Sequence, residues 1–182
     1  MEDYAHILDY LPQGRHEAGR YTKEPVAYAL GEDEFKLFEL IPKENVSLVI
    51  GDRVYVGKEV EQRAEILHVK RRISYDELTN AAQNELMFVI DKIVKGKEEK
   101  FVDFFNKAQA ITTRFHMLEL LPGLGKKSMW AIVQERRRGD FVNFNDITKR
   151  VGSIHHPAKL VSKRIHLEIS DPDQKYHIFV AK

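Results

Sequence analysis

The sequence predicts an α+β protein: a small antiparallel β-barrel, then helices, then a tandem pair of short helix–turn–helix units. Three observations predict it. Five short β-rich runs fall within the first 73 residues, the apolar period becomes helical at Ser74, and Leu121-Pro122-Gly123-Leu124-Gly125 separates two apolar segments that recur downstream in a degenerate copy. A chain of 182 residues forms one domain or two small ones, and 43% apolar residues exclude wholesale disorder.

The first strand runs from Tyr4 to Leu11, where Tyr4, His6, Leu8 and Tyr10 alternate with Ala5, Ile7 and Leu11 until Pro12-Gln13-Gly14 ends it. Val26 to Leu30, Phe35 to Ile41, Arg53 to Gly57 and Ala64 to Ile73 follow, separated by Gly31-Glu32-Asp33, Pro42-Lys43-Glu44-Asn45 and Gly51-Asp52. The stretch Gly51-Asp52-Arg53-Val54-Tyr55-Val56-Gly57 resembles the turn-and-strand entry of OB-fold or S1-like barrels. Such barrels stack single-stranded bases on aromatic residues within a basic groove, which makes Tyr55 and Phe38 candidate stacking residues and Lys70, Arg71 and Arg72 candidate phosphate contacts. Residues 1–73 are the expected OB/S1-like β domain.

Ser74 and Glu77 have capping-box spacing. Leu78, Ala81, Ala82, Leu86, Val89, Ile90 and Ile93 then recur at helical spacing up to Gly96. Lys97 to Ala108 repeats the pattern with Phe101, Phe104, Phe105 and Ala108 on one face. Residues 74–111 are therefore connecting helices.

Function concentrates in residues 112–168. A short apolar helix, Phe115 to Leu121, leads into Pro122-Gly123-Leu124-Gly125, and a second helix follows with Met129, Ile132 and Val133 inward and Gly139 near its end. This arrangement resembles a helix-hairpin-helix motif. Two glycines let the backbone approach another molecule, Leu124 anchors the turn, and N–H groups at the start of the second helix, beside Lys126, Lys127 and Ser128, face a phosphate. Backbone amides read phosphate and not bases, so binding is expected to be independent of sequence. The motif resemblance also implies hairpin carbonyls able to hold a monovalent cation; no other cofactor and no metal site is expected. Phe141 to Ile165 is the degenerate copy. Asn145 caps a helix from Asp146 to Arg150, Val151-Gly152-Ser153-Ile154 replaces the first turn, and Pro157 opens a helix with Leu160, Val161 and Ile165 inside. Arg136, Arg137, Arg138, Lys149, Arg150, Lys163 and Arg164 supply further attraction. In residues 169–182, Tyr176 to Ala181 alternates as a C-terminal strand.

The formal charge of +1 conceals a division. Residues 1–111 carry 16 Lys and Arg against 21 Asp and Glu, a net of −5; residues 112–166 carry 11 against 4, a net of +7; the last 16 residues carry −1. A local excess of this size suits a polyanion. The absence of cysteine excludes disulfides, thiolate metal sites and a cysteine nucleophile. No apolar run approaches the roughly 18 residues of a membrane span, and the N-terminus lacks the order of a signal peptide, so a soluble, cytoplasmic protein is expected.

With these motifs in place, Tyr4 to Gly14, Phe104 to Ala108 and Thr113 to Lys127 are similar to an archaeal family, domain of unknown function 655. The resemblance covers nearly the whole chain. It implies a predicted RNA-binding protein with an OB- or S1-like N-terminal part and a helix-hairpin-helix C-terminal part. The expected activity is non-enzymatic nucleic-acid binding, RNA favoured over DNA, with protein partners in translation or transcription as a further expectation. The alternatives are a protein-interaction adaptor in a ribosome-biogenesis or transcription assembly, and a repair glycosylase or lyase using Asp140 or Asp146. The spacing of those aspartates from the hairpin departs from the glycosylase pattern, and neither Lys126 nor Lys127 meets its catalytic lysine. Adjacent His155 and His156, with His166, lack the helical i, i+4 pairing of metal ligands.

Overall fold

The computed structural model describes residues 1–182, the side chain of Glu17 apart. The strands are β1 (Tyr4–Leu11), β2 (Arg15–Glu17), β3 (Arg20–Thr22), β4 (Val26–Gly31), β5 (Leu37–Pro42), β6 (Arg53–Tyr55), β7 (Ile66–Ile73), β8 (Ala110–Thr112) and β9 (Phe115–His116). The helices are α1 (Asn80–Gly96), α2 (Glu98–Lys107), α3 (Lys126–Arg136), α4 (Phe144–Arg150) and α5 (Pro157–Ser170). They form two compact units, Met1–Val89 with Leu167–Lys182, and Ile90–His166. The division thus falls inside α1 and α5, whereas the sequence suggests boundaries beside residues 73 and 111.

In the first unit, one antiparallel sheet has the order β6-β1-β4-β5-β7. Strands β6, β1, β4 and β5 lie as a Greek key, the fourth returning beside the first. Bulges at Ile7/Asp9, Glu39/Leu40 and Ile41/Pro42 curl the sheet. The expected barrel does not close: β6 and β7 remain its two edges. The small residues Ala5, Ala27 and Ala29 share the core face with Ile7, Leu40, Val54, Val56 and Ile66, and Phe38 packs against this cluster.

Polar burial organises the rest of this unit. Glu39, in the middle of β5, is 0% exposed. Arg15 Nη2 lies 2.8 Å and Arg71 Nη2 2.9 Å from its carboxylate, with Lys70 Nζ at 3.4 Å, so β2 and β7 both supply cations to one buried anion. Arg15 also donates to the Tyr28 hydroxyl. A second buried carboxylate, Glu2, accepts the N–H groups of Asp33 and Glu34, each at 2.8 Å, and closes the β4–β5 turn. Gly31 is required beside it, because a Cβ there would stand 2.2 Å from the Glu2 carboxyl carbon. Glu32 takes His6 Nε2 at 3.0 Å and an Arg53 fork at 2.9 and 2.8 Å, which holds edge strand β6.

Three local expectations are corrected. Tyr176 to Ala181 is not a strand: the N–H groups of Ile178, Phe179 and Val180 donate to the Glu168 carboxylate at 2.9, 3.1 and 2.9 Å instead of to a neighbouring strand. The segment nonetheless returns to its own unit, with Ala181 N–H on the Glu34 carbonyl. The Phe115–Leu121 helix shrinks to one 3₁₀ turn, Met117–Leu120, because Phe115 and His116 pair with β8 and the His116 side chain caps the turn. Helix α4 starts at Phe144 and is capped by Asn143, which accepts the Asp146 N–H at 2.7 Å, rather than by Asn145. Ser74 and Glu77 do form the expected capping box, but on a 3₁₀ turn, Tyr75–Glu77, that precedes α1, and Thr79 Oγ1 accepts the Ala82 N–H where α1 begins. In the second unit Phe101, Phe105, Met129, Ile132, Val133, Val161 and Ile165 are buried, as their spacing predicts, and Leu118 and Ile147 join them.

Replacing Glu39 with Gln is expected to lower unfolding free energy by about 2 kcal/mol in urea titration, since Arg15 and Arg71 lose a charged acceptor. An unchanged midpoint would show that the buried carboxylate does not hold β2 and β7.

Candidate nucleic-acid interface

The second unit contains two turns that share an i to i+3 bond between buried apolar anchors. In the first, His116 Nδ1 accepts the Leu118 N–H at 3.1 Å while His116 N–H donates to Glu119 Oε2 at 2.8 Å. The Leu121 carbonyl then accepts the Leu124 N–H at 3.1 Å, with Gly123 at φ +89° and Leu124 buried beneath. Gly125 caps α3, its carbonyl accepting the Met129 N–H at 3.0 Å. In the second turn the Val151 carbonyl accepts the Ile154 N–H at 3.0 Å, Ile154 is buried, and the His156 carbonyl accepts the Leu160 N–H at 3.3 Å as α5 begins. Leu121 and Leu124 thus correspond to Val151 and Ile154. The Ser128 and Ser153 hydroxyls, 2.9 Å apart, join the turns. Between them lies a recess of about 230 Å³ lined by Gly123, Ser128, Ser153, His155, His156 and Lys163, among others.

The two hairpin glycines differ in what the fold asks of them. Gly123 occupies the left-handed region, where a side chain is strained. Gly125 is extended, at φ −86° and ψ 176°, and a Cβ there would meet nothing within 4 Å. No internal contact calls for glycine at 125. The space before the first turn of α3, whose leading N–H groups have no partner within the helix, is open.

The cations divide into two sets. Lys127, Arg137, Arg138, Lys149 and Lys163 are exposed, Arg138 lying 3.7 Å from Glu135. Lys126 is exposed but donates to the Arg114 carbonyl at 2.8 Å and lies 3.5 Å from Glu119. Pro122 is half-buried beside Gly123. The other set serves the fold and corrects the expectation of surface attraction. Arg136 donates to the Phe105 carbonyl at 3.0 Å, and burial pulls its guanidinium below its usual value. Arg150 donates to the carbonyls of Glu135 and Gly139 at 2.8 and 2.7 Å and lies 4.4 Å from the Phe141 ring centre. Arg164, 4% exposed, donates to the Leu120 carbonyl at 3.3 Å.

The first-unit candidates are also engaged. Lys70 and Arg71 face Glu39, Arg71 also pairs with Glu77, and Arg72 donates to the Ala181 carbonyl at 2.8 Å. Tyr55 is half-buried, edge-on to Tyr4 at 5.3 Å, and Phe38 is partly buried against the core cluster. Asp146 accepts the Val142 N–H, and that bond together with the Arg150 pair keeps its carboxyl below the usual range. Among the described residues no three His, Asp or Glu side chains are grouped to hold a metal ion.

Trp130 belongs to no motif that the sequence marks out. It is 54% exposed on α3, on the face carrying Lys126 and Lys127, and the inward set Met129, Ile132 and Val133 is the signal that it points outward. Ser153, which the sequence places in the second turn, and His155 and His156, which it offers only as metal ligands, line the recess between the turns.

This architecture defines the class, an α+β protein with a curled five-stranded antiparallel sheet and five helices; no helix among the described residues is long and apolar enough to cross a membrane. The chain belongs to the family described as "Protein of unknown function (DUF655)", which it matches over residues 1–181. It is 46% identical over 181 residues to uncharacterized protein MJ0038 of Methanocaldococcus jannaschii, covering 99% of this chain and 80% of that one. The crystal structure of Af1531 from Archaeoglobus fulgidus is similar with a TM-score of 0.90 and 46% identity, over 99% of this chain and 100% of that one.

His116 accepts a hydrogen bond in its cap, and burial, then Arg136, hold its pKa below the ordinary histidine value; burial does the same for His166. The unfolded chain therefore binds more protons in this range. Their contribution to stability is complete above about pH 6.5 and falls as the solution is acidified through the depressed folded values. Thermal melts between pH 7.5 and 5 should show falling stability, and His116→Asn, which keeps an acceptor without titrating, should flatten the slope. A pH-independent wild type would contradict the cap.

Proposed function

We propose that the chain is a non-enzymatic nucleic-acid-binding protein, RNA favoured over DNA, whose first turn grips phosphate as a helix-hairpin-helix does. The reading rests on Gly125: its backbone suits any residue and its missing side chain leaves open space before the start of α3. Glycine there permits the close approach of another molecule to the helix-start amides, which favour an anion. Exposed Lys127, Arg137 and Lys163 add charge, and Lys149 adds more although it also faces the Asp146 carboxylate. The doubled turn supports the tandem form of the motif, with the second copy chiefly structural. The Greek-key order and curl support an OB-like first unit. Its candidate basic residues Lys70, Arg71 and Arg72 are committed to internal contacts, so the backbone grip is assigned to the second unit.

Anisotropy titrations of the full chain with labelled RNA and DNA strands over a range of salt test the grip. Gly125→Val should weaken binding to every sequence alike by about tenfold with little change in melting temperature, and Lys127→Glu should reduce the salt slope by about one. Wild-type affinity that ignores salt, or a Gly125→Val protein that binds as well as wild type, would end the phosphate reading.

A further inference from the structure

Beside the second turn lies another recess, of about 530 Å³, wholly within the second unit. It shares His155, His156 and Lys159 with the recess between the turns, and its remaining lining comes from the end of α1, from α4 and from α5. Ser162 belongs to this lining. It is 0% exposed, and its hydroxyl has no hydrogen-bond partner within the protein. A buried hydroxyl left unpaired lowers stability, and an atom from outside the chain, of water or of a ligand, can satisfy it.

The other lining groups indicate what that is. Asp91 and Lys159 neutralise each other at 2.9 Å, which leaves Lys95, exposed at the rim, as excess positive charge. Phe144 offers a half-exposed ring, and Asn145 an exposed amide able to donate and accept. The volume falls within the roughly 300–1,000 Å³ of small-ligand sites. A flat heterocycle on an aromatic face, a polar edge meeting a hydroxyl, and an anionic group near a lysine together describe a nucleotide.

We infer that this recess receives one unpaired nucleotide of the strand whose phosphate is held at the paired turns, a reading that rests on the phosphate grip above. The base lies against Phe144 with its edge on Ser162, and the strand passes over His155 and His156 from one recess to the other. A base stacked and paired in a duplex cannot enter, so the second unit distinguishes an unpaired nucleotide from a continuous duplex without reading a long sequence.

The test compares three labelled RNA probes on the full chain: a blunt duplex, the same duplex with one bulged nucleotide, and the single strand. Wild type should bind the bulged duplex and the single strand about tenfold more tightly than the blunt duplex. Ser162→Ala and Ser162→Val should remove most of that preference while leaving blunt-duplex affinity intact, and Ser162→Ala should melt no lower than wild type because it deletes an unpaired buried hydroxyl. Equal wild-type affinity for all three probes, or a Ser162→Val protein with its preference undiminished, would overturn the recess assignment and leave the grip standing. Absence of binding to all three would overturn both, and uniform weakening by Gly125→Val identifies the grip alone.

Discussion

The first unit is organised around a charge that cannot be left alone. Glu39 sits in the middle of a sheet, fully buried, and an ion there is tolerated only with counter-ions and hydrogen bonds close at hand. Arg15 draws the short β2–β3 hairpin toward the sheet, and Arg71 and Lys70 come from the neighbouring strand β7. Arg71 reaches onward to Glu77, whose carboxyl is held down to about 2 by the Ser74 N–H and by Arg71 itself. One anion thus ties together a hairpin, an edge strand and the turn leading to α1. The basic run Lys70-Arg71-Arg72, which in sequence looks like a groove for a polyanion, is the internal answer to Glu39 and to the carbonyl of Ala181.

The first strand was legible through its run of apolar and aromatic residues and the Pro12-Gln13-Gly14 that ends it: Tyr4 to Leu11 is read from sequence and found with the same bounds, although Ala5, His6, Ile7 and Leu8 are all buried and both of its faces are covered there. The helices α1, α2, α3 and α5 announced themselves through apolar spacing and through Pro157. Sequence concealed the places where a side chain takes over a backbone partner. Tyr176 to Ala181 has the pattern of a strand, yet Glu168 accepts its amides, and alternation cannot tell a ladder from a carboxylate. The helix before the first turn has ample apolar residues, but His116 and Glu119 cap a single 3₁₀ turn and Pro122 stands just beyond it. Closure of the sheet was also beyond reach, since it depends on bulges that one strand's residues do not advertise.

At the candidate site the sequence located the first turn and its glycines, and the structure separated their reasons. Gly123 answers to its own backbone angle, whereas Gly125, the cap of α3, has an extended backbone and no neighbour that a Cβ would disturb. The second copy keeps only the apolar anchors Val151 and Ile154 and the i to i+3 bond between them. That bond positions Ser153 against Ser128 and leaves His155 and His156 bordering both recesses. Loss of glycine in the copy therefore removes an open approach and replaces it with polar side chains, so the two turns share their apolar anchors and the bond between them but not the left-handed residue, which only Gly123 supplies.

The split of charge along the chain has a structural source as well as a functional one. In the first unit buried carboxylates receive stray amides: Glu2 at the β4–β5 turn and Glu168 along the C-terminal segment. In the second unit guanidinium groups receive stray carbonyls at helix ends: Arg136 for α2, Arg164 for the turn ending at Leu120, and Arg150 for the end of α3. An excess of acids in one unit and of bases in the other follows in part from which backbone groups each fold leaves unpaired. The +7 of residues 112–166 consequently overstates the charge offered to a ligand. The cations left at the surface, chiefly Lys127, Arg137, Lys149 and Lys163, form a smaller set, which gives any polyanion bound there a salt dependence set by those few contacts.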